Sequence, residues 1–423
     1  MELPILLIAV FLPIMLLLSV PIGVALGMSV VIAVVSADIP VQFLMQKMFF
    51  SLDTFPLLAV PFFIMAGEIM QKGSMAESLL RLSRCLIGHI TGGLAQVSVL
   101  TCMFYGALSG SAPATVAAVG GIMIPSMEKE GFSKSFSTAT NVSAGCLGVM
   151  IPPSVPLIIY GTTANVSVGD LFIAGIIPGL FIGAILMFTC YFLSKYHGFA
   201  TKSEKAPLKQ TWKAFQEAKY ALAVPVIVLG GIYGGITTPT EAGAIAVTYA
   251  FLVEGLVLKR LNKTKIWQIL RSTTITNATI FLVVATASAL GQILLIYNVP
   301  NDMVGLLSGL TENKIIFFVV IILMLLVLGT FMDALANILI LTPLLQPLVI
   351  QAGIDLTHFG VVMIAAVSLG FLTPPVGVNL FVGCGISGIS IEKLSYAVLP
   401  FIAAILCGIF FLAFIPQMVL CLL

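Results

Sequence analysis

Two Pro-Pro pairs lie in the middle of apolar segments, at Pro152-Pro153 and Pro374-Pro375. Proline has no backbone N–H and collides with the preceding helical turn, so each pair is expected to break a helix. A broken helix exposes carbonyl oxygens at one end, which favour a cation, and N–H groups at the other, which favour an anion. The duplicated pair beside a polar segment therefore favours an ion or substrate site, whereas a single pair would favour a simple kink.

A short polar segment precedes each pair. The first, Ser109 to Thr115, carries small hydroxyl residues whose neutral oxygens suit a sodium ion, although a Gly/Ser packing interface between helices is the alternative. The second contains Asp333 and Asn337 in an apolar surround, where an acid is costly and usually functional. A capping role is the alternative for Asp333, and one residue can do both. Further polar residues flank the breaks: Asn141 and Ser154 the first, Thr373 and Asn379 the second.

Other polar residues give weaker indications. Glu241 follows Thr-Pro-Thr, and it is either functional or an acid in the first turn of a helix. His89, His197 and His358 are isolated and show no metal-ligand spacing. The sequence has no phosphate-binding loop, no H-E-x-x-H and no G-x-S-x-G, so it predicts neither an ATP-driven motor nor an enzyme with these motifs.

Composition defines the class of protein. Of 423 residues, 60% are hydrophobic and 9% are charged, whereas soluble domains carry about 25% charged residues. This excludes an ordinary soluble enzyme and a disordered chain, and the net charge of +2 does not indicate nucleic-acid binding. Charge-free stretches such as 3–37, 85–127 and 272–301 exceed the ~20 residues that span a bilayer. We predict an all-α integral membrane protein in the lipid bilayer.

Charge also indicates orientation. The stretch from Ser194 to Tyr220 holds six lysines and two glutamates, and a second basic cluster runs from Lys259 to Arg271. Both are predicted on the cytoplasmic side by the positive-inside rule. The mostly apolar residues between them are predicted to form two short helices that return the chain to that side.

An internal repeat spans much of the chain. GVMIPPSVPLIIYG, Gly148 to Gly161, matches GFLTPPVGVNLFVG, Gly370 to Gly383, at a spacing of 222 residues without gaps. The turn EKEGFSK of the first copy carries Lys129 and Lys134, while the equivalent IQAGIDL carries no Lys or Arg and one Asp. Opposite charge bias places the equivalent turns on opposite membrane sides. The pattern predicts two inverted-topology repeats, the plan of many secondary transporters.

The predicted architecture has about ten transmembrane helices plus two re-entrant hairpins. The hairpins are assigned to Gly92–Met127 and Ile315–Ile350, each as two half-length limbs, because their apolar runs are interrupted by polar tips. Such tips are tolerated at membrane depth only when buried in protein or lining a cavity. Amphipathic helices at Val41–Thr54 and Met75–His89 are also predicted, the latter as an interfacial arm.

Four stretches together resemble a known family: FPLLAVPFFIMAGEIM, GALSGSAPATVAAVGGIMIP, GGITTPTEAGAIAVTY, and GFLTPPVGVNLFVG following AGIDLTHFGVV. They resemble the large membrane subunit of tripartite ATP-independent periplasmic (TRAP) transporters over essentially the whole chain. The resemblance implies sodium-coupled uptake of an organic acid across the bacterial inner membrane by an elevator mechanism. It also implies two partners, a small four-helix membrane subunit and a periplasmic substrate-binding protein. No cofactor besides the coupling Na+ is expected.

The resemblance assigns roles to positions of this sequence. The first sodium site would involve Ser109, Gly110 and Pro152, and the second Asp333, Thr373 and Pro374. The substrate carboxylate would lie between the hairpin tips, with contacts from Ser111, Ser154, Asn337 and Asn379. Where many family members carry an Asn before the second Pro-Pro pair, this chain has Ala365-Ala366-Val367-Ser368, so a polar contact is missing or moved to Ser368.

The resemblance also suggests a division of the chain into five parts: 1–90, scaffold with the arm helix; 91–193, transport; 194–219, cytoplasmic linker; 220–314, scaffold; and 315–423, transport. C4-dicarboxylates and sialic acids are the leading substrate classes, with GVNLFVG closer to sialic-acid systems. An integral-membrane enzyme and a passive channel are the alternative functions. The enzyme would need clustered acids, bases or metal ligands at depth, where Asp333 stands nearly alone, and the channel does not need paired hairpins.

Overall fold

The computed structural model describes residues 3–18, 20–199, 204–330, 332–374 and 377–423, and every regular element in these ranges is helical. The predicted all-α class is therefore confirmed for the described part of the chain. The N-terminal helices are α1 (Leu3–Leu17), α2 (Ile22–Ser36), α3 (Val41–Leu52), α4 (Ala59–Lys72) and α5 (Met75–Ile87). Helices α3 and α5 fall on the two predicted amphipathic segments, and a 3-10 turn over Phe55–Leu58 leads into α4.

The first hairpin and the first broken helix follow. Their helices are α6 (Gly93–Ser109), α7 (Ala112–Thr115), α8 (Gly121–Lys129), α9 (Lys134–Gly145), α10 (Leu147–Met150), α11 (Val155–Ala164) and α12 (Val168–Tyr196). A π-turn over Val116–Gly120 joins α7 to α8, so the second hairpin limb runs unbroken from residue 112 to 129. Both limbs are about 26 Å long at 1.5 Å per residue. The limbs lie within two residues of the predicted bounds, and each is shorter than the ~20 residues of a full span. The π-turn and Pro125 lie within the second limb without ending it, and the re-entrant course of the hairpin stays a prediction.

The middle of the chain contains long helices. They are α13 (Leu208–Tyr233), α14 (Pro239–Leu252), α15 (Lys263–Ile296) and α16 (Val299–Thr311). Helix α13 has 26 residues rather than the predicted short length, because it begins inside the lysine-rich stretch. Part of the predicted linker, residues 200–203, lies outside the described residues.

The last part of the chain repeats the order of the first hairpin and broken helix. Its helices are α17 (Lys314–Gly329), α18 (Ala334–Gln351), α19 (Leu356–Gly370), α20 (Val378–Ser387), α21 (Ile391–Phe414) and α22 (Gln417–Leu420). The second break falls between α19 and α20, where Pro374 is described and Pro375 lies outside the described residues. Helices α17 to α21 begin within one residue of the positions reached by adding 222 to the starts of α6, α7, α9, α11 and α12.

The two broken helices lie antiparallel against each other. At their midpoints the Cys146 thiol donates a hydrogen bond to the carbonyl oxygen of Ser368, at 3.2 Å and at the repeat spacing of 222 residues. Near the end of the first, the Tyr160 hydroxyl donates to the carbonyl oxygen of Leu356 at the start of the second, at 2.7 Å. The end of the first broken helix thus contacts the start of the second, while their middles contact each other. This arrangement requires the two broken helices to run in opposite directions.

The centre of the molecule is formed by α6, α9 and α19. Nearly all of their residues are buried, as expected for helices surrounded by others. Helix α9 is polar, and two of its hydroxyl side chains donate to carbonyls one turn earlier, Ser137 to Ser133 and Thr138 to Lys134. These bonds satisfy polar groups that would otherwise be costly to bury.

Seven helices of the described part are long and apolar enough to cross a membrane by length and composition. An eighth is added if Lys134–Met150 and Val155–Ala164, which are bent by 41° at the first Pro-Pro pair, form one span. The remaining apolar helices have 10–17 residues. The predicted ten crossings therefore depend on several of these shorter helices, and that number stays a prediction.

A candidate ion and substrate cavity at the hairpin tips

A cavity of about 380 Å³ lies where the two hairpin tips meet α4 and α15. The first tip contributes the segment from Ser109 to Ala114, and the second contributes Asp333 to Leu335. The first break adds Val149, Val155 and Pro156. Helices α4 and α15 close the opposite wall with Ile64, Gly67, Glu68 and Gln71, and with Ile275, Thr276, Thr279 and Ile280.

Several oxygen atoms are gathered at the first tip. The hydroxyls of Ser109 and Thr115 lie 2.9 Å apart, and the Thr115 hydroxyl donates to the carbonyl oxygen of Ser111 at 2.8 Å. Gly148 lies against the same group, since a Cβ at this position would contact the Thr115 hydroxyl and lie 2.6 Å from the Ser111 carbonyl. The absence of a side chain at Gly148 lets the broken helix approach these neutral oxygens.

The first break has the geometry expected from its prolines. Pro152 and Pro153 have no N–H to donate to the carbonyls of Gly148 and Val149. The Val149 carbonyl instead accepts from the Ser154 hydroxyl at 2.6 Å. The Gly110 carbonyl at the tip accepts from the Val155 N–H at 3.4 Å, so tip and break are joined directly.

The second tip places an acid where the first has a serine. Asp333 occupies the position equivalent to Ser111, keeps exposed surface on the cavity wall, and accepts from the Leu335 N–H at 3.3 Å as the N-cap of α18. Asn337 occupies the position equivalent to Thr115 and donates to the Met332 carbonyl at 3.2 Å. The alternative reading of Asp333 as a cap is thus observed together with its position on the cavity.

Other predicted residues are hydrogen-bonded to backbone carbonyls and do not line the cavity. The Thr373 hydroxyl donates back to the Leu369 carbonyl at 3.0 Å, and the Ser368 hydroxyl donates to the Ala365 carbonyl at 2.7 Å. Asn379 is buried between the broken helices and donates to the Val142 carbonyl at 3.1 Å. Ser109, Gly110, Ser111 and Asp333 are thus brought together on one cavity, whereas Pro152, Ser154, Asn337, Thr373, Pro374 and Asn379 are not among its lining residues.

Glu68 is a site residue that the sequence reading missed. It lines the cavity from α4, accepts from the Ser272 hydroxyl at 2.8 Å and lies 3.8 Å from the ammonium group of Lys72. One acid in the apolar run FFIMAGEIM was the signal available in the sequence. Gln71, Thr276 and Thr279 join it on this wall, but they carry no comparable signal.

The electrostatics of the cavity combine two features. Its two ionisable carboxyl groups are Glu68 and Asp333, and none of the described lining residues is Lys or Arg. The helices that begin at Ala112, Ala334 and Val155 all start on its wall, and helix N-termini favour anions. The cavity therefore suits an anionic group at the N-termini together with a cation at the carboxylate and neutral oxygens.

Glu241 serves a helix start. Its carboxylate accepts from the Thr238 N–H at 2.8 Å, while its own N–H donates to the Thr238 hydroxyl at 3.3 Å. This reciprocal pair is a capping box at the beginning of α14.

The helical fold with its paired hairpins and the cavity between them is that of a membrane transport protein, and comparison with known proteins identifies the family. The family described as tripartite ATP-independent periplasmic transporter, DctM component, matches residues 8–418. The chain therefore belongs to this family of large permease proteins, which are transporters and not enzymes. It is accordingly a multi-pass membrane protein.

Several relatives are similar over most of this chain. The isethionate TRAP transporter permease protein DctMQ of Oleidesulfovibrio alaskensis is 44% identical over 402 residues, 95% of this chain and 63% of that longer protein. The C4-dicarboxylate TRAP transporter large permease protein DctM of Rhodobacter capsulatus is 32% identical over 96% of both chains. The sialic acid TRAP transporter large permease protein SiaM of Vibrio cholerae is 36% identical over 90% of this chain and 89% of its own.

A solved structure shares the fold. The YdaH transporter of Alcanivorax borkumensis superimposes with a TM-score of 0.61 over 89% of this chain and 88% of its own. The identity is 15%, so this likeness concerns the fold alone.

Proposed function

We propose that this chain is the large subunit of a sodium-coupled secondary transporter that imports an organic acid across the bacterial inner membrane. The observation that carries the proposal is the convergence of both hairpin tips and the first helix break on one cavity that offers helix N-termini and oxygen ligands. An anion at the N-termini and a cation at the oxygens stabilise each other, which couples their binding.

The first sodium site is proposed at the first tip. The Ser109 and Thr115 hydroxyls and the Ser111 carbonyl are already within hydrogen-bond distance of one another, and Gly148 leaves space beside them. Pro152 contributes by leaving the Gly148 carbonyl without its usual helical N–H. Neutral oxygens of this kind match a hard monovalent cation.

The second sodium site is proposed at Asp333, which supplies a carboxylate at the cavity wall. Thr373 and Pro374 follow α19 at the second break, and a ligand role for the Thr373 hydroxyl would require it to leave the Leu369 carbonyl. The substrate carboxylate would then lie beside Ser111 at the start of the first tip's second limb. Asn379, Ser154 and Asn337 would act by holding the broken helices and tips in position, since their side chains bond to nearby carbonyls.

Two inverted halves and an elevator movement are proposed for the transport step. The matching helix starts and the antiparallel broken helices support the inversion. Polar contacts join helices within each of two groups: Glu68 with Ser272 and Thr240 with Phe55 within the scaffold, and the tip–break and break–break bonds within the transport part. The exposed Arg84–Glu130 ion pair on the arm helix connects the two groups. Movement of one group against the other would carry the cavity past α4 and α15.

Two partners complete the proposed transporter, a small four-helix membrane subunit and a periplasmic binding protein that delivers the substrate. The names of the relatives suggest the substrates to examine first, namely isethionate, C4-dicarboxylates and sialic acid.

Uptake into proteoliposomes tests the proposal. The chain is reconstituted with its small subunit, and labelled isethionate, C4-dicarboxylate or sialic acid is added outside with the binding protein. We expect one substrate to accumulate above its outside concentration when an inward sodium gradient is imposed, and not with potassium in its place. Equilibration without accumulation under every gradient would indicate a channel and would overturn the proposal.

A further inference from the structure

An apolar groove of about 640 Å³ lies between α12 and α21, away from the cavity. Helix α12 contributes three aromatic residues to the walls of the groove, Phe181, Phe188 and Phe192. Helix α21 contributes Pro400, Cys407 and Phe411. The helices run antiparallel along it, because the end of α12 and the beginning of α21 line the same part. Phe188 and Phe192 keep 64% and 50% of their surface exposed, so the groove is open along its length.

The floor and one end of the groove are closed. Gly408 forms the floor, since a Cβ there would lie 2.5 Å from the Ile182 Cδ1 atom and 2.7 Å from that of Ile185. At the far end the rings of Phe181 and Phe411 meet edge to face, with centroids 6.4 Å apart. The groove is therefore a blind slot that opens towards the end of α12 and the start of α21.

Charged and aromatic residues continue the groove at its open end. Lys393 precedes Pro400 by seven residues, and so lies on the groove face of α21. Tyr396 and Tyr196 are 77% and 86% exposed beside it, and Lys195 is exposed next to Tyr196. Glu392 adjoins Lys393 in the first turn of α21 but lies one position off the groove face.

We propose that the groove binds an anionic phospholipid of the bilayer, with an acyl chain in the slot and its headgroup between Lys195 and Lys393. The charge at the open end matches an acidic headgroup, and exposed tyrosines are typical of the membrane interface. The basic end of α12 is also the end that the positive-inside rule places on the cytoplasmic side. Basic sites between helices on that side are known features of anionic-lipid binding.

The size of the slot favours an acyl chain over a helix. From Phe181 to Leu193, α12 lines the groove over about 18 Å at 1.5 Å per residue. A partner helix is about 10 Å across with its side chains, which is wider than a single alkyl chain. A narrower linear apolar chain fits the slot, and a bilayer supplies it at high local concentration.

Fluorescence quenching by brominated lipids tests the site. The two native tryptophans are removed by Trp212→Phe and Trp267→Phe, and Phe188→Trp places a single fluorophore in the groove. In phosphatidylcholine vesicles, acyl-brominated phosphatidylglycerol should quench this fluorophore more strongly than acyl-brominated phosphatidylcholine at equal mole fraction. A preference of about fivefold per lysine is expected for charges at the membrane surface.

Matched variants separate the groove from the general surface. Phe251→Trp, on α14 and 43% exposed, should show no comparable preference. Lys195→Glu with Lys393→Glu should abolish the preference at Phe188→Trp, as should the milder Lys195→Gln with Lys393→Gln, whereas Lys209→Glu with Lys263→Glu should retain it. Equal quenching of Phe188→Trp by both lipids would overturn the proposal, as would a preference that survives the substitutions of Lys195 and Lys393. Absence of quenching by either lipid would show that a helix or a second copy covers the groove, and would also overturn it.

Discussion

Gly148 is a residue at which the first broken helix closely approaches the first hairpin tip. A Cβ at this position would contact the Thr115 hydroxyl and would also lie 2.6 Å from the Ser111 carbonyl oxygen. Gly148→Ala should therefore push the tip away from the break and destabilise the protein by about 1–3 kcal/mol, as overpacking usually does. Thermal unfolding in detergent measures the stability, and sodium-driven uptake measures the effect on the site.

Gly121→Ala is the matched control for this substitution. Gly121 lies in the same hairpin, at the start of α8, and a Cβ there meets nothing within 4 Å. Alanine is the better helix former by up to about 1 kcal/mol, so stability should be unchanged or slightly increased. Equal losses in both variants would show that Gly148 is not a special point of contact.

Asp333 combines two roles that substitution can separate. Asparagine caps helices about as well as aspartate, whereas alanine costs about 1 kcal/mol at such a position. Asp333→Asn should therefore unfold at nearly the native temperature, and Asp333→Ala should be less stable. Both variants should require a higher sodium concentration for half-maximal uptake, because both remove the carboxylate. Native sodium dependence in Asp333→Asn would leave Asp333 as a cap alone.

At the scale of elements, the arm helix α5 is held on three sides. Glu254 of the π-turn after α14 is fully buried and accepts from the N–H groups of Ser74 and Met75 at 2.7 and 3.0 Å. Arg81 lies 3.4 Å from Glu217 on α13, and Arg84 pairs with Glu130 at the base of the first hairpin at 2.5 Å. The helix therefore connects the predicted scaffold to the predicted moving part.

Removal of the buried cap should loosen this arm. Glu254→Ala leaves two N–H groups without their acceptor, and such groups cost about 1–3 kcal/mol each when buried. We expect faster hydrogen exchange at the backbone amides of residues 74–79 and slower uptake. Glu241→Ala removes an exposed cap at the start of α14 and should raise exchange only around residue 240. Unchanged exchange at 74–79 in the Glu254 variant would contradict this role.

The extent of prediction from sequence differs between elements and side chains. The positions of the helices were predictable because Gly and Pro residues recur at a spacing of 222. This spacing relates the break at Pro152 to the break at Pro374, and the first tip at Ser111 to the second tip at Asp333. The continuous π-turn within the second limb was not predictable, because Val116–Gly120 carries no sequence signal that distinguishes it from an α-helix. Side-chain direction was also inaccessible: Asn379 points to the Val142 carbonyl because of packing between distant helices. Glu68 was missed because its partner Ser272 is 204 residues away.

At the scale of the whole molecule, the inversion of the two halves can be tested at one equivalent pair. Lys129 ends α8 and Gln351 ends α18, they are 222 residues apart, and both are exposed. Inverted halves place these two helix ends on opposite sides of the membrane, whereas a parallel duplication places them on the same side. The antiparallel contact of the broken helices favours the first arrangement.

Lys129→Cys and Gln351→Cys report the side directly. A membrane-impermeant thiol reagent added outside intact cells should modify the cysteine at 351 and spare the one at 129, and inverted vesicles should give the opposite result. Peptide-resolved mass spectrometry separates these signals from the exposed native cysteines Cys407 and Cys421. Modification of both positions from one side would exclude inverted halves. It would also remove the elevator mechanism, since the two tips could then not approach a shared cavity from opposite sides.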